Sequence, residues 1–375
     1  MRLALIFANY GPYHLARLRS TQAALRPPGW EVIGIELARD QIEYPWQAHT
    51  SQRPFQLITL FSDQTYEQIP WAALIWRMFR TLSQINPDIL AIAGYSEPGM
   101  LAALLWARCH GKKTILMSES KADDAARRGW QERIKQWLIS HYDGALVGGS
   151  PHKRYLQDLG MPGATIRMGY DVVDNQAFAN DRTTALPAPI KAPYFLVICR
   201  FVPKKNLPFI LQAYADYCTR VGSKAWHLVL CGDGELRPQI IAQITHLGLE
   251  AQVHLPGFLQ QDQLLPYFGH AQCFILASSQ EQWGLVVNEA MAASLPVLVS
   301  NRCGCFEDLV IEGVNGFGFD PDISLELTQL MVQVTQADYD LLNIGKIASD
   351  HINRHFPLSG FGQGMAQVIE SIIKE

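Results

Sequence analysis

With 375 residues the chain is too long for one ordinary core and long enough for two domains. Its residues are 48% hydrophobic and 18% charged, which excludes a disordered or low-complexity protein, and a net charge of -4 leaves no overall basic footprint for nucleic acid. The charge is uneven: residues 1–180 hold 19 Lys and Arg against 16 Asp and Glu, and the remainder holds 12 against 19.

From the N-terminus, short apolar runs at 3–8, 31–37, 55–60, 88–93, 113–118 and 144–149 read as buried strands. Helical patterns lie between them near 14–25, 70–85, 98–110, 125–140 and 151–159. Strand-helix alternation with wholly apolar strands predicts a parallel sheet with helices on both faces. Residues 180–193 then hold three prolines and little periodicity, which predicts an interdomain linker. A second series follows, with strands at 194–199, 226–231, 253–256, 273–277 and 296–300. Its helices fall near 206–221, 236–247, 262–269, 285–294 and 304–312. An amphipathic stretch from 358 to 374 closes the chain. The reading is α/β throughout: a domain at 1–180, a linker at 181–193, a second domain at 194–357, and a terminal helix at 358–375.

Ligands of doubly wound sheets bind outside the carboxyl ends of the strands, so residues just after strands carry the functional reading. The richest segment is 278–300, where Glu281 and Glu289 flank Trp283-Gly284-Leu285. Gly284 lets the backbone come close to a ligand, and a helix opening near Leu285 turns the amides of Gly284, Leu285 and Val286 toward an anion. Glu289, one turn in, is placed to reach a hydroxyl pair. Alone, two glutamates at a spacing are also compatible with a plain charged loop and helix. After the first strand of the second series, Arg200 and Lys205 bring two cations to the same edge, a fork and a point charge suited to a diphosphate. The next strand runs into Cys231-Gly232-Asp233-Gly234-Glu235, and a third ends in Leu255-Pro256-Gly257-Phe258, where Gly257 would admit a base or sugar.

As an ordered set over 194–313, these motifs resemble glycosyltransferase family 4, the large retaining family of GT-B fold. DVVDNQAF at 171–178 is similar to that family's turn before the linker. ANYGPYHLARL at 8–18 is similar to its first loop, which usually carries two glycines where this chain has Gly11 and Pro12. The resemblance implies two Rossmann-like domains facing a cleft, with the last helix returning to the first domain. It implies that Arg200 and Lys205 neutralise the donor diphosphate and that Glu289 holds ribose hydroxyls. Glu281 would bind the transferred sugar, and Gly257 and Phe258 would meet the nucleobase. Neither metal nor cofactor is expected, because cations and a helix N-terminus take that role. The expected reaction is transfer, with retention, of a hexose or N-acetylhexosamine from a nucleotide sugar, UDP-linked in first preference. The acceptor would be a glycan, a glycolipid or a small hydroxylated molecule. An epimerase of the same fold and a non-catalytic nucleotide-sugar binder are the alternatives, the second separated by its failure to release nucleotide.

The acceptor side offers Gly11, His14, Tyr95 and Glu119. Glu119 stands where the family often has a histidine, and reads either as an acceptor-orienting group or as a helix cap; His14 reads either as a ligand or as a packed ring. Five cysteines sit in or beside apolar runs and read as reduced core residues. Cys303 and Cys305 lack the second pair a zinc site needs. With no signal-peptide order at the N-terminus and no apolar run of about 20 residues, a cytoplasmic protein is expected, at most peripheral at the inner face of a membrane. The basic segment 125–140 carries Trp130 and Trp137 with Arg127, Arg128, Arg133 and Lys135, and the helical pattern near 70–85 carries Trp71 and Trp76 with Arg77, Phe79 and Arg80. Either these tryptophans contact a membrane or, as preferred from the sequence, they face their own sheet.

Overall fold

The computed structural model describes residues 1–41, 56–124, 129–336 and 339–374. The chain forms two compact units, Met1–Val173 with Pro357–Glu375, and Asp174–Phe356.

The first unit is a seven-stranded parallel sheet of order β3-β2-β1-β4-β5-β6-β7. Its strands are β1 (Arg2–Phe7), β2 (Glu31–Asp40), β3 (Leu57–Thr65), β4 (Ile89–Ala93), β5 (Lys113–Ser118), β6 (Gly144–Val147) and β7 (Ile166–Met168). The β1 side chains Leu3 to Phe7 are buried, as a central parallel strand covered on both faces requires. Helix α1 (Pro12–Leu25) carries the chain from β1 to β2. Helices α2 (Trp71–Ile85), α3 (Pro98–Cys109), α4 (Gly129–Ile139) and α5 (Ser150–Asp158) carry it toward the other edge. Right-handed crossovers in opposite directions put the two sets on opposite faces.

The terminal helix α14 (Ser359–Ile373) joins α1 on its face, burying Phe361, Met365, Val368, Ile369 and Ile372 along one stripe. It lies close because its small residues allow it: a Cβ at Gly362 would sit 2.3 Å from the Ser20 carbonyl oxygen, and one at Gly364 would sit 2.8 Å from that of Met168. Ser20 Oγ also donates to the Leu358 carbonyl at 2.8 Å. The expected return of the last helix is therefore present.

The second unit is a six-stranded parallel sheet of order β10-β9-β8-β11-β12-β13. The strands are β8 (Tyr194–Ile198), β9 (His227–Cys231), β10 (Val253–Gly257), β11 (Cys273–Leu276), β12 (Val297–Ser300) and β13 (Gly316–Phe319). The helices are α6 (Asn180–Thr184), α7 (Leu207–Val221), α8 (Arg237–His246), α9 (Gln261–His270), α10 (Leu285–Ala292), α11 (Phe306–Leu309), α12 (Ser324–Thr335) and α13 (Leu341–His355). Strand β13 and helices α6, α12 and α13, like β7 in the first unit, add to the elements read from sequence.

The boundary differs from the expected 180. Asn175 Nδ2 donates to the Ile352 and Phe356 carbonyls, and Phe178 meets Phe268 edge-on at 5.5 Å. A Cβ on Gly269 of α9 would lie 2.4 Å from the Thr183 carbonyl carbon, so α6 is pressed onto α9. The proline-bearing stretch has turn chemistry but is anchored at its start by buried aromatic and amide groups, and it belongs to the second unit. The second unit ends at Phe356.

Candidate active site

In the second unit the strand order reverses between β8 and β11, and a crevice opens where the loops leaving two such strands part. Lys205 reaches this point from the loop after β8, and Glu281 from the loop after β11. The Lys205 ammonium donates to Glu281 Oε2, and Ser278 Oγ donates to the same oxygen at 2.9 Å. Both side chains are largely buried, at 13% and 9% exposed. Burial works against each charge, but each outweighs it for the other: the carboxylate beside Lys205 holds the amine above its usual range, and the ammonium holds Glu281 below the usual glutamate. Lys204 Nζ donates to Gln282 Oε1 at 3.2 Å and leaves Lys205 as the inward cation.

The loop carrying Glu281 is clamped from both sides. Gly304 N donates to the Glu281 carbonyl and Cys305 N to that of Trp283, each at 3.1 Å. Trp283 is buried and donates from Nε1 to Asn288 Oδ1 at 2.9 Å, which ties the loop to α10. Gly284 sits at φ +103° as the N-cap of α10 and, having no side chain, makes no cap hydrogen bond of its own. The amides of Gly284, Leu285 and Val286 therefore open the helix at a half-buried position, beside the Lys205–Glu281 pair in the chain. Glu289 lies buried in the next turn.

The other donor-side residues divide by their surroundings. Arg200 is half-buried at the end of β8, close enough with Lys205 to pull on the Cys199 thiol. Burial nonetheless dominates and pushes that thiol to about 12. Gly257 has φ +87° with nothing within 4 Å of an added Cβ, and exposed Phe258 follows it. Gly232 differs: its Cβ would lie 1.9 Å from the Cys199 carbonyl oxygen, and that of Gly234 2.7 Å from the Phe201 carbonyl oxygen. These glycines let one loop press against another, with Phe201 N donating to the Asp233 carbonyl at 2.8 Å. Backbone packing thus accounts for Gly232 without a ligand.

Cys303 and Cys305 are buried, and among the described residues no three His, Cys, Asp or Glu side chains gather as a metal site would require.

In the first unit, the candidates gather at the carboxyl ends of β1, β4 and β5. Gly11 is the extended N-cap of α1, with open space around it. His14 stacks on Phe7 at 4.2 Å and is lowered to about 3, chiefly by burial and then by neighbouring Arg17. It is a packed, neutral ring. Tyr95 donates to Ser120 Oγ at 3.1 Å. Near Glu119 lies Asp171, which burial first and the Glu119 charge second hold well above the usual aspartate, against the opposing pull of Arg17. Arg17 and Asp171 are wholly buried 3.5 Å apart, and the guanidinium lies 4.6 Å from the Tyr170 ring centroid.

Sequence reasoning missed Arg17, Ser278 and Glu36. The buried Glu36 carboxylate accepts from Tyr10 N at 2.8 Å and Thr59 Oγ1 at 2.5 Å, pinning the loop that bears Gly11. A legible signal existed for Arg17, a cation on the same stripe of α1 as Leu18, Thr21 and Leu25.

Comparison with known proteins agrees with this geometry. Residues 182–338 match the family model described as glycosyl transferases group 1. The N-acetyl-alpha-D-glucosaminyl L-malate synthase of Bacillus anthracis is 23% identical over 358 residues, covering 88% of this chain and 90% of the relative. Among solved structures, sucrose-phosphate synthase from Thermosynechococcus elongatus superimposes with a TM-score of 0.76 at 16% identity, over 100% of this chain and 99% of that one. Anabaena Alr3699/HepE in complex with UDP gives 0.73 at 16% identity, over 99% and 100%. At such identities the likeness speaks for the fold: two Rossmann-like, parallel-sheet domains of the GT-B type. The motif-bearing part of the second unit thus matches the group 1 glycosyl transferase model, and the whole chain has the fold of GT-B glycosyltransferases.

Proposed function

We propose that the chain transfers a hexose or N-acetylhexosamine from a UDP-sugar to a hydroxylated acceptor, with retention and without a metal ion. The observation that carries this reading is the buried Lys205–Glu281 pair at the strand-order reversal of the second unit, next in the chain to the glycine-led start of α10. Lys205 and Arg200 would neutralise the diphosphate together with the amides of Gly284, Leu285 and Val286. The Glu281 bonds to Lys205 and Ser278 both use Oε2, so Oε1 takes a sugar hydroxyl in this reading. Glu289 would hold the ribose, and Gly257 and Phe258 the base.

In the transfer itself, the bond from the anomeric carbon to the diphosphate oxygen breaks while a bond to the acceptor oxygen forms on the same face. The acceptor proton passes to the leaving diphosphate. Cations that stabilise that leaving group act more strongly in the transition state than in the bound donor, which makes them catalytic. Glu119, adjoining Asp171, is the acceptor-side candidate. The relative named for N-acetylglucosaminyl transfer to malate supports a small hydroxylated acceptor, and the UDP complex of the structural neighbour supports the base.

A thermal-shift panel of UDP, GDP and ADP tests the donor side. A ligand at about 100 times its dissociation constant stabilises the native state by roughly 2.7 kcal/mol. UDP should shift the wild type and not Glu289→Ala, and donor turnover should survive EDTA. A shift by another nucleotide alone, or turnover that EDTA abolishes, would overturn the corresponding part.

A further inference from the structure

The tryptophans expected to face the sheet do not. Trp71, Trp76, Trp130 and Trp137 are 67%, 59%, 59% and 63% exposed, and they are the exposed tryptophans among the described residues. All four lie on α2 and α4, which share one helical layer of the first unit with α3, itself packed against α2. On α4, Trp130, Ile134 and Trp137 fall at i, i+4 and i+7 and so form one outward stripe, while Ile139 takes the inward place. Leu105 is the exposed apolar residue of α3 between them. Arg127 and Arg128 lie outside the described residues and play no part here.

On α2 and α3 the charge has one sign. Helices α2 and α3 contain Arg77, Arg80 and Arg108 and no acidic residue. On α4, Glu132 is bound to Lys135 and Tyr155, leaving Arg133 outward. The Arg80 guanidinium lies 5.3 Å from the Trp76 ring centroid, and Arg77 stacks over Phe61 at 4.6 Å. Apolar stems and rings are thus presented with cationic heads beside them, the arrangement suited to the boundary between lipid headgroups and acyl chains. A protein partner would match the apolar stripe equally well but gives no reason for acidic residues to be missing from two adjacent helices.

We propose that the outward face of α2, α3 and α4 docks on an anionic lipid bilayer, the tryptophans entering the headgroup region and the arginines pairing with lipid phosphates. This surface stands independently of the donor-site reading, and its test needs no glycosyl transfer.

The test is co-sedimentation of the full chain with vesicles of phosphatidylcholine alone and with vesicles containing phosphatidylglycerol, at low and high salt. The wild type should pellet with the anionic vesicles and be released by salt. Each arginine lost from Arg80→Gln, Arg108→Gln and Arg133→Gln should weaken binding about fivefold. Each tryptophan changed in Trp76→Ser, Trp130→Ser and Trp137→Ser should weaken it about tenfold, if roughly 60 Å² of ring is buried. These side chains are exposed, and unchanged melting temperatures would verify that the variants fold. The proposal is overturned if anionic vesicles pellet no more protein than neutral ones, or if the triple tryptophan variant binds as the wild type does. A wild type that ignores both vesicles but self-associates through these tryptophans would also overturn it, and would assign the face to a second copy of the chain.

Discussion

Lys205→Met removes the inward cation of the second unit while keeping the volume of its stem. The Glu281 carboxylate, 9% exposed, then loses the partner that offsets its burial. A buried charge stripped of its partner costs about 3–5 kcal/mol, and in a unit of this size that lowers the melting temperature by roughly 6–20 °C. The loss should depend on pH with a definite sign. In the wild type Glu281 titrates below its ordinary 4.5, so its contribution is complete above 4.5 and is lost as pH falls through the folded value. In Lys205→Met burial dominates and the carboxyl rises above 4.5, so stability is lost as pH rises instead. Scanning calorimetry of the full chain at about pH 5 and about pH 8 reads both slopes. The variant should lie closest to the wild type at the lower pH, and adding Glu281→Gln should recover most of the loss at the higher one. A variant that melts with the wild type at both pH values would refute the claim that this pair is a buried, mutually compensated charge.

Gly232→Ala must displace backbone, because its Cβ would lie 1.9 Å from the Cys199 carbonyl oxygen; a loss above roughly 3 kcal/mol is expected, read as a large fall in melting temperature. Gly257→Ala meets open space and carries only left-handed strain, about 1–2 kcal/mol, so it should melt slightly early while nucleotide affinity, measured by calorimetry, falls more. His14 titrates at about 3 when folded and 6.5 when not, so its contribution is complete above 6.5 and fades below it, by about 1.4 kcal/mol per pH unit. His14→Gln should flatten that acid-side slope in urea unfolding, and an unchanged slope would place the titrating group elsewhere.

The Lys205–Glu281 region was legible because its parts are local. Strand end, cation, glycine and helix start follow each other within a few residues, and parallel-sheet topology brings such loops to one edge. The buried charged cluster of the first unit was not, because its groups come from residues 17, 119 and 171, on three elements that periodicity cannot pair. Strand β13 was missed for a related reason: its Gly-Phe-Gly-Phe pattern reads as a loop, yet Gly316 is required, since a Cβ there would lie 2.7 Å from the Val297 carbonyl oxygen. Gly232 is a position that sequence leaves open. A glycine after a strand looks the same in sequence whether it yields to a ligand or to a neighbouring carbonyl.

The closeness of α14 to α1 sets an order of events during synthesis. Ser20, Leu146 and Met168 form the seat for Gly362 and Gly364, yet the entire second unit is translated before that helix emerges. The second unit, continuous in sequence, can fold while the first still waits with one sheet face covered by α1 alone. That interval, when apolar strand surface is exposed on a chain still being made, is when the nascent protein most needs a chaperone. Fusing the α14 segment ahead of β1 would shorten the wait, and soluble yield during rapid expression would report the difference.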